Sequence, residues 1–310
     1  MRLLVIAFIS CFQVLLLHAQ VEEIIEISTE RDKDGNYTFF ADNNSFATHH
    51  VAIWFESISG YTINASLPAN RSIEKGNHLI FKILRNEMGN QNFRYTYTYR
   101  RGTANPKIKD IAYALPVSKG KQTKVLELVS IDESYRNKKA PEGYYSIGFT
   151  LNEGDTLFAA RGGRVIKLIQ SEEADLEGLT FSSDRNMLEI EHSDGTIGQY
   201  SIFKKNAALV EVGDEVLMGT PLALAGGKNY LSGYQVRFMV YYLHFDASES
   251  QESKDWYSFK YITPEFVTSS GERKVLEPKI KYRSVLTEEM IMADMSRKER
   301  KRYLKSKGSK

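Results

Sequence analysis

The sequence predicts an all-β protein of two folded domains, with helix confined to its C-terminal end. Three observations lead there. Apolar and polar residues alternate with period two through most stretches between the termini, Asp-Gly dipeptides separate two pairs of these runs, and 310 residues exceed a single average domain. A hydrophobic content of 42% is that of a globular chain and excludes global disorder. The formal net charge of +2 gives no bulk attraction toward nucleic acid, which is not an expected partner.

The chain begins with Arg2, the apolar run from Leu3 to Leu17, and His18-Ala19-Gln20. This reads as a secretory signal peptide over 1–19, cleaved after Ala19. The run is too short, and too interrupted by Gln13, for a comfortable membrane span; an uncleaved anchor is the rival reading. Cys11 is the only cysteine and lies inside this leader. The exported chain is therefore expected to hold no disulfide and to rely on packing.

Residues 20–105 are strand-rich. Asp34-Gly35 suits a hairpin turn ahead of Tyr37 to Ala41, and Val51, Ile53 and Phe55 alternate with Ala52, Trp54 and Glu56. Leu79 to Leu84 and Phe93 to Tyr99 repeat the pattern, which predicts a small immunoglobulin-like β-sandwich. Phe93, Tyr95, Tyr97 and Tyr99 share one strand face opposite Arg94, Thr96, Thr98 and Arg100. A sandwich core with hydroxyls reaching the rim is the expectation, and an exposed platform for sugar rings the alternative. His49 and His50 are adjacent and so point to opposite faces of a strand, where one metal cannot take both. They and His78 read as ordinary loop or strand-end residues. The sequons at Asn36, Asn64 and Asn70 would matter only in a eukaryotic secreted protein.

Residues 106–140 are lysine-rich around a strand candidate from Val125 to Ile131, and read as a connecting segment with a solvated face. Residues 141–245 form the second β-unit. Its strand candidates Met187 to Ser193 and Gln199 to Phe203 are joined by Asp194-Gly195, a dipeptide that tolerates the positive φ of a tight turn. Leu188, Ile190 and His192 fall on one face opposite Glu189 and Glu191, which makes His192 a packed, structural histidine. A faint repeat runs through the unit: Glu153 to Gly163 and Val212 to Gly227 place Gly-Asp, an apolar pair and later glycines in the same order. That is the hairpin arrangement of lipoyl-like and duplicated hybrid folds, although no lysine stands at the Gly213-Asp214 tip to carry a lipoyl group.

Residues 246–285 read as an extension in which alternation resumes from Trp256 to Ile262, and 286–310 as a basic helical tail. Thr287 can cap a helix whose first turn holds Glu288 and Glu289, with Arg297 to Arg302 at the far end. A solvated terminal helix is the default, and contact with an acidic membrane surface the alternative.

The ordered landmarks Phe149, Gly154 to Ala159, Glu191 to Gly195, Tyr200, Val210 to Val216, Gly233 and Phe238 resemble the lysostaphin-type (LytM-like) zinc endopeptidases of bacterial cell walls, over about residues 141–245. That family opens with His-x-x-x-Asp-Phe, continues with Tyr-x-His-Leu and closes with Gly-x-His-Leu-His-Phe. The resemblance implies a duplicated-hybrid, lipoyl-like sheet core of the lysostaphin type, in the periplasm or cell envelope. It carries the family's metal-binding and catalytic positions onto Tyr144, Gly148, Ile202, Gln235 and Arg237, and all five differ from the family pattern. A catalytic zinc needs three protein ligands and an open position, and a guanidinium cannot give up its proton to coordinate a cation. No catalytic residue, metal or other cofactor is therefore expected, and zinc only if other ligands have taken over. Tyr242-Leu243-His244-Phe245 offers a second register with one histidine, but without a bulge His244 faces away from Gln235 and Arg237.

Gln235 and Arg237 become the ligand-binding candidates, suited to a carboxylate of a peptidoglycan stem peptide; a salt bridge to a nearby glutamate, or plain solvation, is the plainer expectation for Arg237. Three functions stay open. The first is a non-catalytic envelope protein that binds or regulates in peptidoglycan metabolism, with peptidoglycan or an envelope protein such as a wall hydrolase as partner. The second is an active zinc endopeptidase with displaced ligands, His244 or His192 among them. The third is a structural subunit of an envelope assembly.

Overall fold

The computed structural model describes residues 24–87, 89–128, 141–173, 185–230, 232–248 and 256–308. The leader over 1–19, with Cys11, and part of the connecting segment lie outside these. The described chain is nearly all β, with helix only near its C-terminal end, as the alternation predicts. Among the described residues, no helix is long and apolar enough to cross a membrane.

Seven strands build the N-terminal sandwich: β1 (Ile25–Arg31), β2 (Tyr37–Asn43), β3 (His49–Ser59), β4 (Tyr61–Ile63), β5 (Ala69–Ile73), β6 (Gly76–Arg85) and β7 (Asn92–Arg101). They form one sheet in the order β1-β2-β6-β4 and another in the order β5-β3-β7. The first turn closes because Gly35 takes a φ of +84°, which costs a glycine nothing. Ile25, Phe39, Phe81 and Ile83 from one sheet meet Val51, Ile53 and Ile73 from the other in a single core. Phe93, Tyr95, Tyr97 and Tyr99 pack against that core. The opposite face of β3 is not left to water: Ala52 and Trp54 pack with Phe245 and Trp256 of the second domain, the two indoles 5.0 Å apart.

The second domain holds β8 (Gln122–Glu127), β9 (Ile147–Thr150), β10 (Thr156–Phe158), β11 (Gly163–Ile169), β12 (Met187–Glu191), β13 (Ile197–Ser201), β14 (Phe203–Ala208), β15 (Glu215–Val216), β16 (Pro221–Ala225), β17 (Gln235–Phe245) and β18 (Tyr257–Ile262). Short strands β19 (Phe266–Val267), β20 (Arg273–Lys274) and β21 (Lys281–Arg283) follow. The large sheet runs β15-β11-β12-β13-β17-β9-β8-β21, with β18 also on β17, and a small sheet runs β10-β16-β14. Leu188, Ile190, Tyr200, Val236, Phe238 and Val240 of the large sheet share a core with Leu157, Phe203, Leu222 and Ala225 of the small one.

The internal repeat has a topological meaning. After the first Gly-Asp the chain enters β10 and then β11; after the second it enters β15 and then β16. Each half lends a strand to the other, β10 pairing with β16 and β15 with β11. Residues flanking the unit also join its sheet. Within the expected connection 106–140, β8 pairs with β9 and β21, and within the expected extension, β18 pairs with β17.

Two predicted elements differ in extent. The candidate from Gln199 to Phe203 is two strands in different sheets, because Ile202 takes a φ of +69° and breaks the ladder between β13 and β14. The single C-terminal helix is two helices, Glu288–Met292 and Arg297–Gly308. Thr287 caps the first as predicted, accepting from the Met290 N–H at 3.2 Å. The second starts afresh on a capping box. The Glu299 N–H donates to Ser296 Oγ and the Ser296 N–H donates to the Glu299 carboxylate, at 3.3 and 2.7 Å. The Arg300 guanidinium then folds back onto the Met292 and Met295 carbonyls, satisfying the end of the first helix.

Candidate functional site

Strand β17 organises the site, since residues two apart on a strand share a face. Gln235, Arg237, Met239 and Tyr241 therefore line one face, while Val236, Phe238 and Val240 turn into the core. Arg237 pairs with Ser201 of β13 on one side and with Gly148 of β9 on the other, and Gln235 pairs with Thr150. Tyr144 lies within electrostatic reach of Arg237, and its ring packs edge-on against Tyr261 at 5.1 Å. Ile202 follows Ser201 but its Cγ2 lies 2.9 Å from where a side chain at Gly227 would begin. Four of the five positions thus gather about Arg237, and Ile202 turns to a neighbouring contact.

Polar satisfaction around Arg237 is incomplete. The guanidinium lies 4.9 Å from the centre of the Tyr230 ring, and among the described residues no carboxylate pairs with it. The plain salt bridge expected for it is replaced by this cation–π contact. Burial lowers the Arg237 pKa from its usual value and the like charge of Arg185 adds to that, while Tyr230 and Tyr144 work against it. Among the described residues, Arg237 Nε and Arg185 Nε are both buried without a hydrogen-bond partner. Gln235 is 0% exposed, and among the described residues neither its Oε1 nor its Nε2 has a partner. Buried polar groups are ordinarily paired, so orphaned atoms on three neighbouring residues call for an explanation.

A zinc ion is a poor fit to this donor set. Gly148 offers no side chain, and a Cβ added there would lie 2.9 Å from Leu126 Cβ. Ile202 has no donor atom and Arg237 is cationic. Among the described residues, no group of three His, Cys, Asp or Glu side chains is disposed to hold a metal ion.

The remaining histidines are accounted for by packing. Strand β17 pairs with β13, β9 and β18 without a register shift, so no bulge turns His244 toward Arg237. His192 is wholly buried, its Nδ1–H donating to the Gly162 carbonyl at 2.8 Å. Burial, chiefly, pushes its pKa down to about 4. His49 stacks edge-on against Tyr99 inside the sandwich, whereas His50 meets Phe245 and Tyr257 of the second domain, the opposite-face arrangement their adjacency predicts.

The sandwich covers the far end of the same sheet face. Ala47 packs with Ile166, Ile197 and Tyr241, Arg101 reaches Glu189 at 2.6 Å, and the Thr48 N–H donates to Glu191 Oε2 at 3.0 Å. The sequence assigns Glu189 and Glu191 to this face but carries no sign that another domain buries them. It also gives no sign of Arg161, which is 1% exposed and bridges Asp194 at 3.0 Å and Asp294 at 2.8 Å. Asp194 also accepts from the Lys109 N–H, and Asp294 from Ser193 and Lys109. Residues far apart in the chain meet there, and only the turn role of Asp194 is visible locally.

No family model matches the chain, and no curated protein matches it. Among solved structures, the SpoIIQ–SpoIIIAH pore-forming complex is similar at 21% identity and a TM-score of 0.30, over 43% of this chain and 84% of that one. The deep-sea metalloprotease pseudoalterin is similar at 18% identity and a TM-score of 0.31, over 56% of this chain and 100% of that one. A zinc-containing peptidase from Vibrio cholerae follows at 14% identity and a TM-score of 0.30, over 70% and 75% of the two chains.

Proposed function

We propose that this chain is a non-catalytic cell-envelope protein whose peptidase-like domain serves as a binding or regulatory module in peptidoglycan metabolism. The reading rests on the sequence landmarks of the cell-wall peptidases combined with the side chains gathered at Arg237. The observation that carries it is Gln235, fully buried with both amide atoms unpartnered, next to an Arg237 whose Nε is equally bare. A carboxylate would accept from the guanidinium and from the amide Nε2–H at once, and charge-assisted bonds of this kind are about twice as strong as neutral ones. Such a group sits on the stem peptides of the bacterial wall, so the pair would hold wall peptide without cleaving it. His244 lies on the other face of β17, and His192, whose Nδ1–H goes to Gly162, has no two further ligands gathered beside it among the described residues, so neither supports a displaced zinc site.

Purified sacculi provide the test. Wild-type protein is expected to co-sediment with them, Arg237→Glu to stay in the supernatant, and the metal content of the pure protein to be well below one zinc per chain. Unchanged retention of the variant would remove the binding role. Stoichiometric zinc together with hydrolysed muropeptides would make the protein an enzyme.

A further inference from the structure

A second site lies away from Arg237, where the sandwich, the end of β12, the segment after β15 and the two C-terminal helices come together. They border a partly open cavity of about 860 Å³. That size falls within the range of pockets that bury small organic ligands, about 300–1,000 Å³.

Its walls differ in chemistry. On the side of the sheet and the sandwich stand Glu191 and Glu74. Glu191 is 9% exposed; its Oε2 accepts from the Thr48 N–H, but its Oε1 is buried with no partner among the described residues. Arg164, the nearby cation, is committed to Glu215 at 2.7 Å. Among the described residues no cation pairs with Glu74, whose like charge works with burial to raise the Glu191 pKa. The facing wall is mainly apolar and adaptable, with Met218, Met290, Ile291, Met295 and the ring of Tyr303, and it also holds Asp294, Glu299 and Arg302. The helices that supply it are held down by Asp294 on the buried Arg161, so this wall is part of the folded molecule.

We propose that this cavity binds an organic cation, an ammonium or guanidinium on an apolar stem. The charged head donates to Glu191 Oε1 and is drawn by Glu74, while the stem lies along the methionines of the helices. At the Glu191 end an anionic head would meet two carboxylates, and a neutral one would leave the Glu191 oxygen unpaired, a loss that a site built for a donor uses to discriminate. This site is independent of the role given to Gln235 and Arg237.

The test uses the full chain with hexylammonium as probe, and hexanol and hexanoate as controls, followed by calorimetry and by the methyl NMR signals of Met290 and Met295. Saturable binding of hexylammonium that shifts those methyls is expected, with hexanol much weaker and hexanoate absent. In Glu191→Gln, which keeps an oxygen for the Thr48 N–H, affinity should fall about tenfold or more, the loss of one charge-assisted contact. Glu74→Gln sits at an exposed position that packing does not need, and should weaken binding by a smaller factor. Arg237→Glu should bind hexylammonium as wild type does. Equal affinity for hexanol, unchanged hexylammonium affinity in both carboxylate variants, or no saturable binding would each overturn the proposal.

Discussion

Arg161 joins two carboxylates that come from a hairpin turn and from the C-terminal helical segment, and it does so with 1% of its surface exposed. Replacing one partner of a buried pair leaves the other charge stranded, at a cost of about 3–5 kcal/mol. Arg161→Met should therefore lower the unfolding free energy by about that amount in urea titrations. Asp294→Asn should cost less, since Asp194 still neutralises the guanidinium. At Ile202, a β-branched residue holds a φ of +69°, a conformation that costs about 1–3 kcal/mol and persists only where its surroundings impose it. The side chain is buried against Gly227, which has no Cβ to obstruct it. The pattern of the sequence shows which residue stands at this position but not its backbone conformation, because left-handed isoleucine has no local signal.

Among the elements, the C-terminal helices show how close local code lies to the surface of the sequence. Thr287 followed by Glu288 and Glu289 is legible as a helix start. Ser296-Arg297-Lys298-Glu299 is an equally good start, yet the apolar residues on both sides run through it as if one helix continued. The structure breaks the chain there, and the side chain of Arg300 closes the gap. Ser296→Ala should remove the bond from the Glu299 N–H and destabilise the second helix by about 1 kcal/mol. Faster amide exchange across 297–308, with β1 to β7 unchanged, is the expected readout. The repeat in the second domain was legible in the same way: its Gly-Asp turns mark the strands that the two halves trade, although order alone did not say which strand goes to which half.

The molecule as a whole depends on the contact between sandwich and large sheet, and that contact contains a titrating group. His50 is buried, with Nδ1 3.1 Å from the Tyr257 hydroxyl and Nε2 3.2 Å from Asn70 Oδ1. Burial pushes its pKa down to about 4, against an unfolded value of about 6.5. Between those two values the unfolded chain binds a proton that the folded one refuses. Stability is thus fully present above the upper value and falls as pH drops through the window. His192 has the same sign, while the raised Glu191 opposes it. The clean measurement is the wild-type unfolding free energy minus that of His50→Gln, which should shrink by up to about 1.4 kcal/mol per pH unit inside the window. A pH-independent difference would mean that His50 titrates normally in the fold.

Period-two alternation, turn dipeptides and a capped basic tail were enough to determine an all-β chain, its sandwich and a helix start at Thr287, because each follows from neighbours within a few residues of one another. The identity of the side chains at Tyr144, Gly148, Ile202, Gln235 and Arg237 was likewise plain from the sequence. Tertiary structure alone decided that Gln235 is buried without a partner among the described residues, that Glu189 and Glu191 meet the sandwich, and that Asp294 returns to Arg161. Those outcomes rest on burial and on contacts between residues distant in the chain, which only packing creates.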